Sequence, residues 1–186
     1  HTHDTGRCIQ PYGYAVPTPN LLAFSRQGTV FRQAFSCAPT CSPSRSALMT
    51  GKVPHSCGML GLAHLGFSLP EYDQHLVQHL NRCGYRTVLC GIQHEAEDAA
   101  SIGYQTVLGD PGAEVKAGLS GFSERDLASA REAARYLRSV RKGPIFLSFG
   151  MFSTHRRFPQ DPAPGTLPPD STPPRPLPDH PAVRRG

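Results

Sequence analysis

The chain has 186 residues, carries a net charge of +5 and has a pI near 9.0, and 38% of its residues are hydrophobic. That length is sufficient for one domain with a hydrophobic core. No stretch approaches the length of a transmembrane helix, and no run of Lys and Arg exceeds two residues, so the composition indicates neither a membrane span nor a nucleic-acid interface. The basic balance is instead typical of a protein with an anionic ligand.

Proline is distributed unevenly, since ten of the 19 prolines lie between Pro159 and Pro181. This composition predicts a globular part over residues 1–150 and an extended, proline-rich loop segment of the same domain over residues 151–186. The chain starts at "HTHDTGR" without methionine and stops in "AVRRG". We interpret both ends as cuts in a longer protein, so a missing signal peptide is uninformative.

The first predicted elements are a helix and a strand in "PTPNLLAFSRQGTVFRQAF". Thr18 is placed to cap the helix, Pro19 suits its first position, and Gly28 ends it. β-branched and aromatic residues at strand spacing then predict a strand from Thr29 to Phe35.

The next stretch, "CAPTCSPSRSALMTGKVPH", combines residue types that a packed core does not need. A helix is predicted over Ser44 to Thr50, with Pro43 at its start. The free amides of the first turn and the planar donors of Arg45 then surround residue 41 with positive charge. A nucleophile at Cys41 would lie in an anion-attracting pocket; the alternative is a small buried cysteine before an ordinary helix.

Two later segments repeat the helix–strand order. In "LPEYDQHLVQHLNRCGYRTVLCG", Leu76, Leu80 and Cys83 form an apolar stripe on a helix that Gly84 closes, and Tyr85 to Cys90 is a strand of the buried type. His75 and His79 have the spacing of metal ligands, but no acidic third ligand is near them, so we interpret them as part of a solvated or packed helix face.

In "SERDLASAREAARYLRSVRKGPIFLSFG", Ser123 and Asp126 form a variant capping box for a helix that runs to about Arg141, and a strand follows from Pro144 to Phe149. Alternating helices and apolar strands predict an α/β fold, a mostly parallel sheet with helices on both faces. Ligands of such sheets bind at the loops beyond the carboxyl ends of the strands, where Cys41, "GIQHEA" and "MFSTHRRFP" are expected to converge.

The cysteines match neither a disulfide framework nor a metal knuckle. We interpret all except Cys41 as buried free thiols: Cys8, Cys37, Cys57, Cys83 and Cys90.

"CSPSRSALMTG" resembles the sulfatase signature, a Cys-x-Pro-Ser-Arg core followed by a helix that ends in Thr-Gly. The matching residues are Cys41, Pro43, Ser44, Arg45, Thr50 and Gly51. "THDTGRCIQPYG", "TPNLLAFSRQGTVFRQAFS", "GKVPHSCGM", "GIQHEA" and "PIFLSFGMFSTHRRF" also resemble family segments, as does the proline-rich tail, so the resemblance covers essentially the whole chain. It is nearest to heparan N-sulfatase-like bacterial members and implies an incomplete alkaline-phosphatase-like fold, the N-terminal part of a sulfatase catalytic domain.

The resemblance implies a formylglycine mechanism. A formylglycine-generating enzyme would oxidise Cys41 to formylglycine, whose hydrate attacks the sulfur of a sulfate ester or sulfamate on a small molecule or sugar and later releases sulfate. Arg45 would hold the formylglycine oxygens, and His94 and His155 would lie near the sulfate and its leaving oxygen. Asp4 and residue 41 would bind a divalent cation, usually Ca²⁺, which prefers oxygen ligands.

Two departures from the family pattern are visible. The family has two adjacent acidic residues where this chain has His3 and Asp4, and a lysine where it has Ile92. Further metal ligands of the family would lie beyond Gly186, so we expect the isolated chain to be inactive.

Two alternatives stay open. The protein could cleave phosphate or phosphonate esters in the same superfamily, because these resemble sulfate esters in size, or it could be a degenerate, non-catalytic anion-binding protein. The compartment is also open: five thiols would remain after conversion of Cys41, an odd number that favours the cytoplasm over the periplasm.

Overall fold

The computed structural model describes residues 1–109, 122–140 and 142–155. These residues form two compact units. The first contains residues 1–3 and the described residues from 35 onward, and the described part of the second is residues 4–34. Most of the proline-rich segment predicted for 151–186 lies outside the described residues.

The second unit contains a 3₁₀ turn at Gln10–Tyr12 and helix α1 at Pro19–Ser25. Helix α1 begins at Pro19 as predicted. The Thr18 side chain, however, does not cap it: its Oγ1 accepts a hydrogen bond of 3.0 Å from the amide of Gln10, and the Thr18 amide donates to the Gln10 side chain. Thr18 therefore ties the helix to the preceding turn.

The first unit is built around a three-stranded parallel sheet with the order β2-β1-β3. The strands are β1 (Arg86–Gly91), β2 (Thr106–Leu108) and β3 (Ile145–Gly150), and the helices are α2 (Cys41–Thr50), α3 (Pro54–Cys57), α4 (Leu76–Arg82) and α5 (Phe122–Ser139). In the central strand, Cys90 aligns with Leu108 of β2 and with Phe149 of β3. All three strands therefore end at the same edge of the sheet.

Helices cover both faces of this sheet. Thr87 Oγ1 donates a hydrogen bond of 2.7 Å to Asn81 of α4, and Cys90 Sγ donates to the carbonyl of Ser129 in α5. Because Thr87 and Cys90 are three residues apart in one strand, their side chains point to opposite faces. The predicted α/β class, with a parallel sheet between helices, is confirmed.

The main core lies on the α4 face of the sheet. Val77 of α4, Leu89 of β1 and Ile102 are fully buried there, and Met49 brings α2 onto the same face. Burial of each such aliphatic side chain contributes about 1.5–3 kcal/mol to folding. The core therefore holds the signature helix α2 against the central strand.

The strand predicted from Thr29 to Phe35 is wrong. The segment is irregular, no described residue pairs with it in a ladder, and the Phe31 and Phe35 side chains are 69% and 87% exposed. A strand requires a hydrogen-bonded neighbour and a buried face, which β-propensity alone does not supply.

Smaller predictions also need correction. Cys83 is exposed, and Val77 is the buried residue of α4. Helix α5 begins at Phe122, so Ser123 lies inside it, and the Asp126 carboxylate bonds to the loop after β3 instead of closing a capping box. Strand β2, which is only three residues long, was not predicted.

None of the six cysteines, all within the described residues, forms a disulfide. Only Cys57 and Cys90 are buried, while Cys37 and Cys83 are exposed, so the expectation of buried thiols holds for part of the set. In the described part of the chain, no helix has both the length and the hydropathy that a membrane crossing requires.

Candidate active site

The candidate site lies at the carboxyl ends of β1 and β3, and the N-terminal residues reach it along β3. The amino group of His1 donates a hydrogen bond of 2.8 Å to the carbonyl of Phe149, and Thr2 pairs with Met151 in a parallel bridge. Through this pairing, the N-terminal segment runs beside the last residues of β3 and continues beyond them. It places His3 among the loops that follow the two strands.

Cys41 is the first residue of α2, not the residue ahead of the helix as predicted, and Pro43 is the third. A hydrogen bond joins the first turn of α2 to the segment around Ala63: the buried Ser42 Oγ accepts a hydrogen bond of 3.0 Å from the amide of Ala63. At the other end, Gly51 closes α2 with a left-handed φ of 68°. The signature therefore forms one helix, closed by Gly51 at its carboxyl end, with the Cys41 thiol at its amino-terminal end, where partial positive charge stabilises an anion.

A cluster of side chains, which we call the His/Cys cluster, consists of His3, Cys41 and His94. Cys41 Sγ lies 3.9 Å from His3 Nδ1, and one nitrogen or sulfur atom from each of the three residues lies within 4.8 Å of the others. The rings of His3 and His94 meet edge to face, with centroids 5.2 Å apart. Of the three, His3 is buried, while Cys41 and His94 are partly exposed.

His94 reaches the cluster through an unusual backbone. The chain leaves β1 at Gly91, with φ 79°, and His94 itself has a φ of 67°. Such a left-handed conformation is uncommon for a residue with a side chain and is sustained only when the surroundings impose it.

His155 borders the cluster from the loop after β3. Its ring stacks on Phe152, with centroids 4.5 Å apart and 10° between the planes, and it lies 5.7 Å from the His3 ring. The Asp126 carboxylate fixes this loop by accepting hydrogen bonds from the amides of Phe152 and Ser153 at 3.0 and 2.8 Å and from the Ser153 hydroxyl. Sequence patterns did not predict this role for Asp126.

Arg45 lies one turn beyond Cys41 and holds the N-terminal residues. Its guanidinium donates a hydrogen bond of 2.6 Å to His1 Nδ1 and another of 3.2 Å to the carbonyl of Thr2. The predicted cationic residue is therefore next to the cluster.

Burial and positive neighbours keep the cluster's innermost imidazole neutral. Burial, together with the nearby charges of Arg45, His94 and His155, lowers the pKa of His3 to about 3. Close by in sequence, burial raises the pKa of the Glu95 carboxyl to about 7, against the opposing influence of Arg45. The His3 imidazole is therefore neutral at pH 7, and the Glu95 carboxyl retains its proton to a pH well above its ordinary range.

The predicted site residues are thus distributed as follows. Cys41, His94 and His155 are brought together with Arg45 beside them, whereas Asp4, the predicted metal ligand, belongs to the second unit and has a φ of 49°. Ile92, which replaces a lysine of the family pattern, is buried and supplies no cationic contact.

The remaining histidines show why spacing alone was insufficient. His75 is fully buried, and its Nδ1 accepts the amide of Val77 as the N-cap of α4, while His79 is exposed. This agrees with the interpretation of a packed helix face. His55 and His64 are exposed, and the His64 ring lies 6.2 Å from that of His94. The sequence pattern identifies His3 only as a departure from the family pattern, because its place in the cluster depends on the pairing of the N-terminal residues beside β3.

The profile of the Sulfatase family matches residues 8–174. The chain belongs to the sulfatase family. Human N-sulphoglucosamine sulphohydrolase is 38% identical to this sulfatase over 82 residues, which are 43% of the chain and 16% of the relative. Arylsulfatase of Klebsiella aerogenes is 32% identical over 95 residues, 46% of the chain and 20% of the relative.

Choline-sulfatase of Rhizobium meliloti is 32% identical over 77 residues, 41% of the chain and 14% of the relative. The sulfatase chain therefore spans a fifth or less of the length of these curated relatives in the aligned regions. The three-stranded parallel sheet with its helices is consistent with part of an alkaline-phosphatase-like fold.

Proposed function

We propose that the protein containing this sulfatase chain hydrolyses sulfate esters or sulfamates, and that residue 41 acts after oxidation to formylglycine. The observation that carries the proposal is the position of Cys41: it begins the signature helix, lies within the His/Cys cluster and has Arg45 one turn away. When present, the aldehyde hydrate would supply an oxygen nucleophile for the sulfur, its second hydroxyl would expel sulfate to give the aldehyde, and water would restore the hydrate.

The chain's own residues would bind the anionic group and move the proton. Arg45 and the first-turn amides of α2 supply positive charge beside residue 41, which favours a sulfate there. His94 belongs to the cluster and the His155 ring lies 5.7 Å from that of His3, on the loops after β1 and β3. An imidazole there is suited to protonate the leaving oxygen or nitrogen near neutral pH.

A divalent cation is part of this proposal, and its ligands depend on the state of residue 41. Calcium requires oxygen ligands, whereas the His/Cys cluster offers two imidazoles and a thiol, so the unconverted residues do not fit calcium. Conversion removes the sulfur and supplies oxygens at position 41. The family resemblance implies Asp4 as a further oxygen ligand, and oxygen ligands are the reason that we assign calcium to the converted protein.

The proposed substrate is a sulfated sugar or a sulfated small molecule. The names of N-sulphoglucosamine sulphohydrolase and N-acetylgalactosamine-6-sulfatase, both human relatives, specify sugars, while that of choline-sulfatase specifies a small cation. These names describe the relatives, and their shared element is the sulfate group.

The first test is mass spectrometry of tryptic peptide 33–45, after expression with and without a formylglycine-generating enzyme. The peptide contains both Cys37 and Cys41, and the exposed Cys37 is its internal control. We expect the aldehyde at residue 41 and an unchanged thiol at residue 37. An unaltered thiol at residue 41 in the presence of a competent enzyme would contradict the proposal.

The second test separates sulfate from phosphate chemistry. The protein that contains the chain is assayed in parallel with an aryl sulfate and the matching aryl phosphate, before and after conversion. We expect sulfate release to depend on conversion. Faster release of phosphate would support the phosphoesterase alternative. No release of either from converted protein would support the degenerate, non-catalytic alternative.

A further inference from the structure

We propose that, while Cys41 retains its thiol, the His/Cys cluster binds a borderline-soft divalent cation of the Zn²⁺ class. This goes beyond the function proposed above, which uses residue 41 only after its sulfur has been removed. The site has three ligands, His3, Cys41 and His94, each from a different segment of the first unit.

The spacing of the donors fits one tetrahedral ion. Zinc bonds of about 2.3 Å to sulfur and about 2.0–2.1 Å to nitrogen place the two donors roughly 3.6 Å apart at a tetrahedral angle. Cys41 Sγ and His3 Nδ1 are 3.9 Å apart, and the full set of donor atoms lies within 4.8 Å. A contraction of a few tenths of an ångström brings the sulfur and this nitrogen to a common ion, and a donor pair at the 4.8 Å limit would close by roughly 1.2 Å.

The chemistry of the donors selects the kind of ion. Thiolate and imidazole are ligands of zinc and its neighbours in the transition series, and they suit neither calcium nor magnesium. Binding breaks the S–H bond of Cys41, forms a metal–sulfur bond and releases the proton to solvent. Arg45 opposes a cation at this position, but the new thiolate charge offsets one of the two positive charges that arrive.

The histidine at the centre of the cluster is already held in place. The carbonyl of His3 accepts a hydrogen bond from Thr154 Oγ1, its ring packs 5.2 Å from that of Phe152, and its side chain is buried. A ligand fixed in this way loses little conformational entropy when an ion binds. Three protein ligands leave the fourth tetrahedral position for water or another small ligand.

A zinc ion bound at this site would lower the reactivity of the Cys41 sulfur as a nucleophile. A thiolate bonded to the ion reacts more slowly with alkylating agents than a free thiolate does. When zinc is present, we therefore expect the Cys41 thiol to be bound to the metal and protected from alkylation.

The first experiment uses the untagged, chelator-treated chain in its thiol form, with Co²⁺ as a spectroscopic probe for the zinc site. We expect an intense near-ultraviolet thiolate-to-cobalt absorption band that excess Zn²⁺ abolishes. Cys41→Ser should remove the band, and the matched change Cys37→Ser, at an exposed cysteine outside the cluster, should leave it intact. Persistence of the band in Cys41→Ser, or its absence from the unmutated chain, overturns the proposal.

The second experiment needs no substitution and is therefore independent of any folding defect. The thiol-form chain is alkylated with and without Zn²⁺, and peptide 33–45 is analysed for modification at Cys37 and Cys41 separately. We expect zinc to slow alkylation of Cys41 at least about tenfold relative to Cys37. Equal slowing at both cysteines, or none, overturns the site. Neither experiment requires formylglycine, so failure here leaves the proposed sulfatase activity standing, and the reverse also holds.

Discussion

His3 determines which ions the cluster can hold. It is buried, packs against Phe152 and His94, and lies 3.9 Å from the Cys41 sulfur, at a position where the family pattern has an acidic residue. An imidazole there supplies a nitrogen donor that is neutral at pH 7, whereas a carboxylate would supply charged oxygen. The identity of this one side chain therefore distinguishes a zinc-type donor set from a calcium-type one.

Exchange of His3 tests this assignment directly. In the thiol-form chain, His3→Asp should weaken Zn²⁺ binding by about tenfold or more, because a nitrogen ligand is lost, and should raise Ca²⁺ affinity, because a hard oxygen ligand is gained. His3→Asn is the matched control, since it removes the ring without adding charge and should weaken Zn²⁺ without favouring Ca²⁺. Competition titrations with a chromophoric chelator measure both affinities. Unchanged zinc affinity in both variants would exclude His3 as a ligand.

Asp126 controls the position of His155 from a different element. Its carboxylate accepts hydrogen bonds from Phe152 and Ser153, and the Phe152 ring stacks on His155. Asp126→Asn retains the shape but replaces charge-assisted bonds, so we expect a loss of about 1–3 kcal/mol in the free energy of unfolding.

Urea unfolding measures that loss, with the exposed Glu124→Gln on the same helix as the control for a lost negative charge. Glu124→Gln should change stability by less than about 1 kcal/mol. In the converted protein, Asp126→Asn should lower turnover with little effect on conversion of Cys41. Equal losses of unfolding free energy in Asp126→Asn and Glu124→Gln would mean that the hydrogen bonds of Asp126 contribute nothing beyond the effect of its charge.

At the scale of elements, the site depends on close contact between the ends of β1 and β3. The amide of Ile92 donates a hydrogen bond of 3.2 Å to the carbonyl of Gly150, and a Cβ atom on Gly91 would collide with that same carbonyl oxygen. The two glycines allow the strands to approach where the loops that carry His94 and His155 begin. A side chain at Gly91 would separate them.

Gly91→Ala should therefore destabilise the chain more than a left-handed φ alone explains. Gly84 is the matched control, because it has the same φ of 79° but no atom within 4 Å of its missing Cβ. Gly84→Ala should cost about 1–2 kcal/mol from backbone strain, and Gly91→Ala should exceed it by at least about 1 kcal/mol from the collision. Thermal and urea unfolding compare the two. Equal losses of unfolding free energy in the two variants would show that the ends of β1 and β3 can move apart at no energetic cost.

Local and tertiary effects explain which elements the sequence predicted. Helix α2, strand β1 and strand β3 were predicted because capping residues and continuous apolar runs are local properties. The strand expected over Thr29–Phe35 failed, and β2 was overlooked, because pairing partners decide whether short apolar segments become strands.

The residues of the candidate site also divide into those that local sequence predicts and those that tertiary contacts place. Cys41, Arg45, His94 and His155 were predicted from the signature and from segments that follow strands. The contribution of His3 depends on residues 1–3 pairing beside β3, with Thr2 opposite Met151, a sequence separation that no local pattern encodes.

At the scale of the whole molecule, stability should fall on the acid side because of buried neutral histidine. Burial lowers the pKa of His75 to about 4, from an ordinary value of 6.5, and its Nδ1 accepts the amide of Val77. Above pH 6.5 neither the folded nor the unfolded state binds the proton, so this residue adds no pH dependence. As the pH falls from 6.5 to 4, the unfolded state binds a proton that the folded state does not, and the free energy of unfolding decreases.

The loss from His75 should level off below pH 4, at no more than about 3.4 kcal/mol, because the folded state then binds the proton too. His75→Asn preserves an N-cap acceptor for Val77 but cannot titrate, so its unfolding free energy should decline less between pH 6.5 and 4. His79→Asn, on the exposed side of α4, should retain the full decline. Urea unfolding across this pH range compares the unmutated chain with the two variants. The pH dependence that arises from His3 is the same in all three proteins. Parallel curves for the unmutated chain and His75→Asn would show that the buried imidazole accepts its proton without unfolding, through local opening at the start of α4.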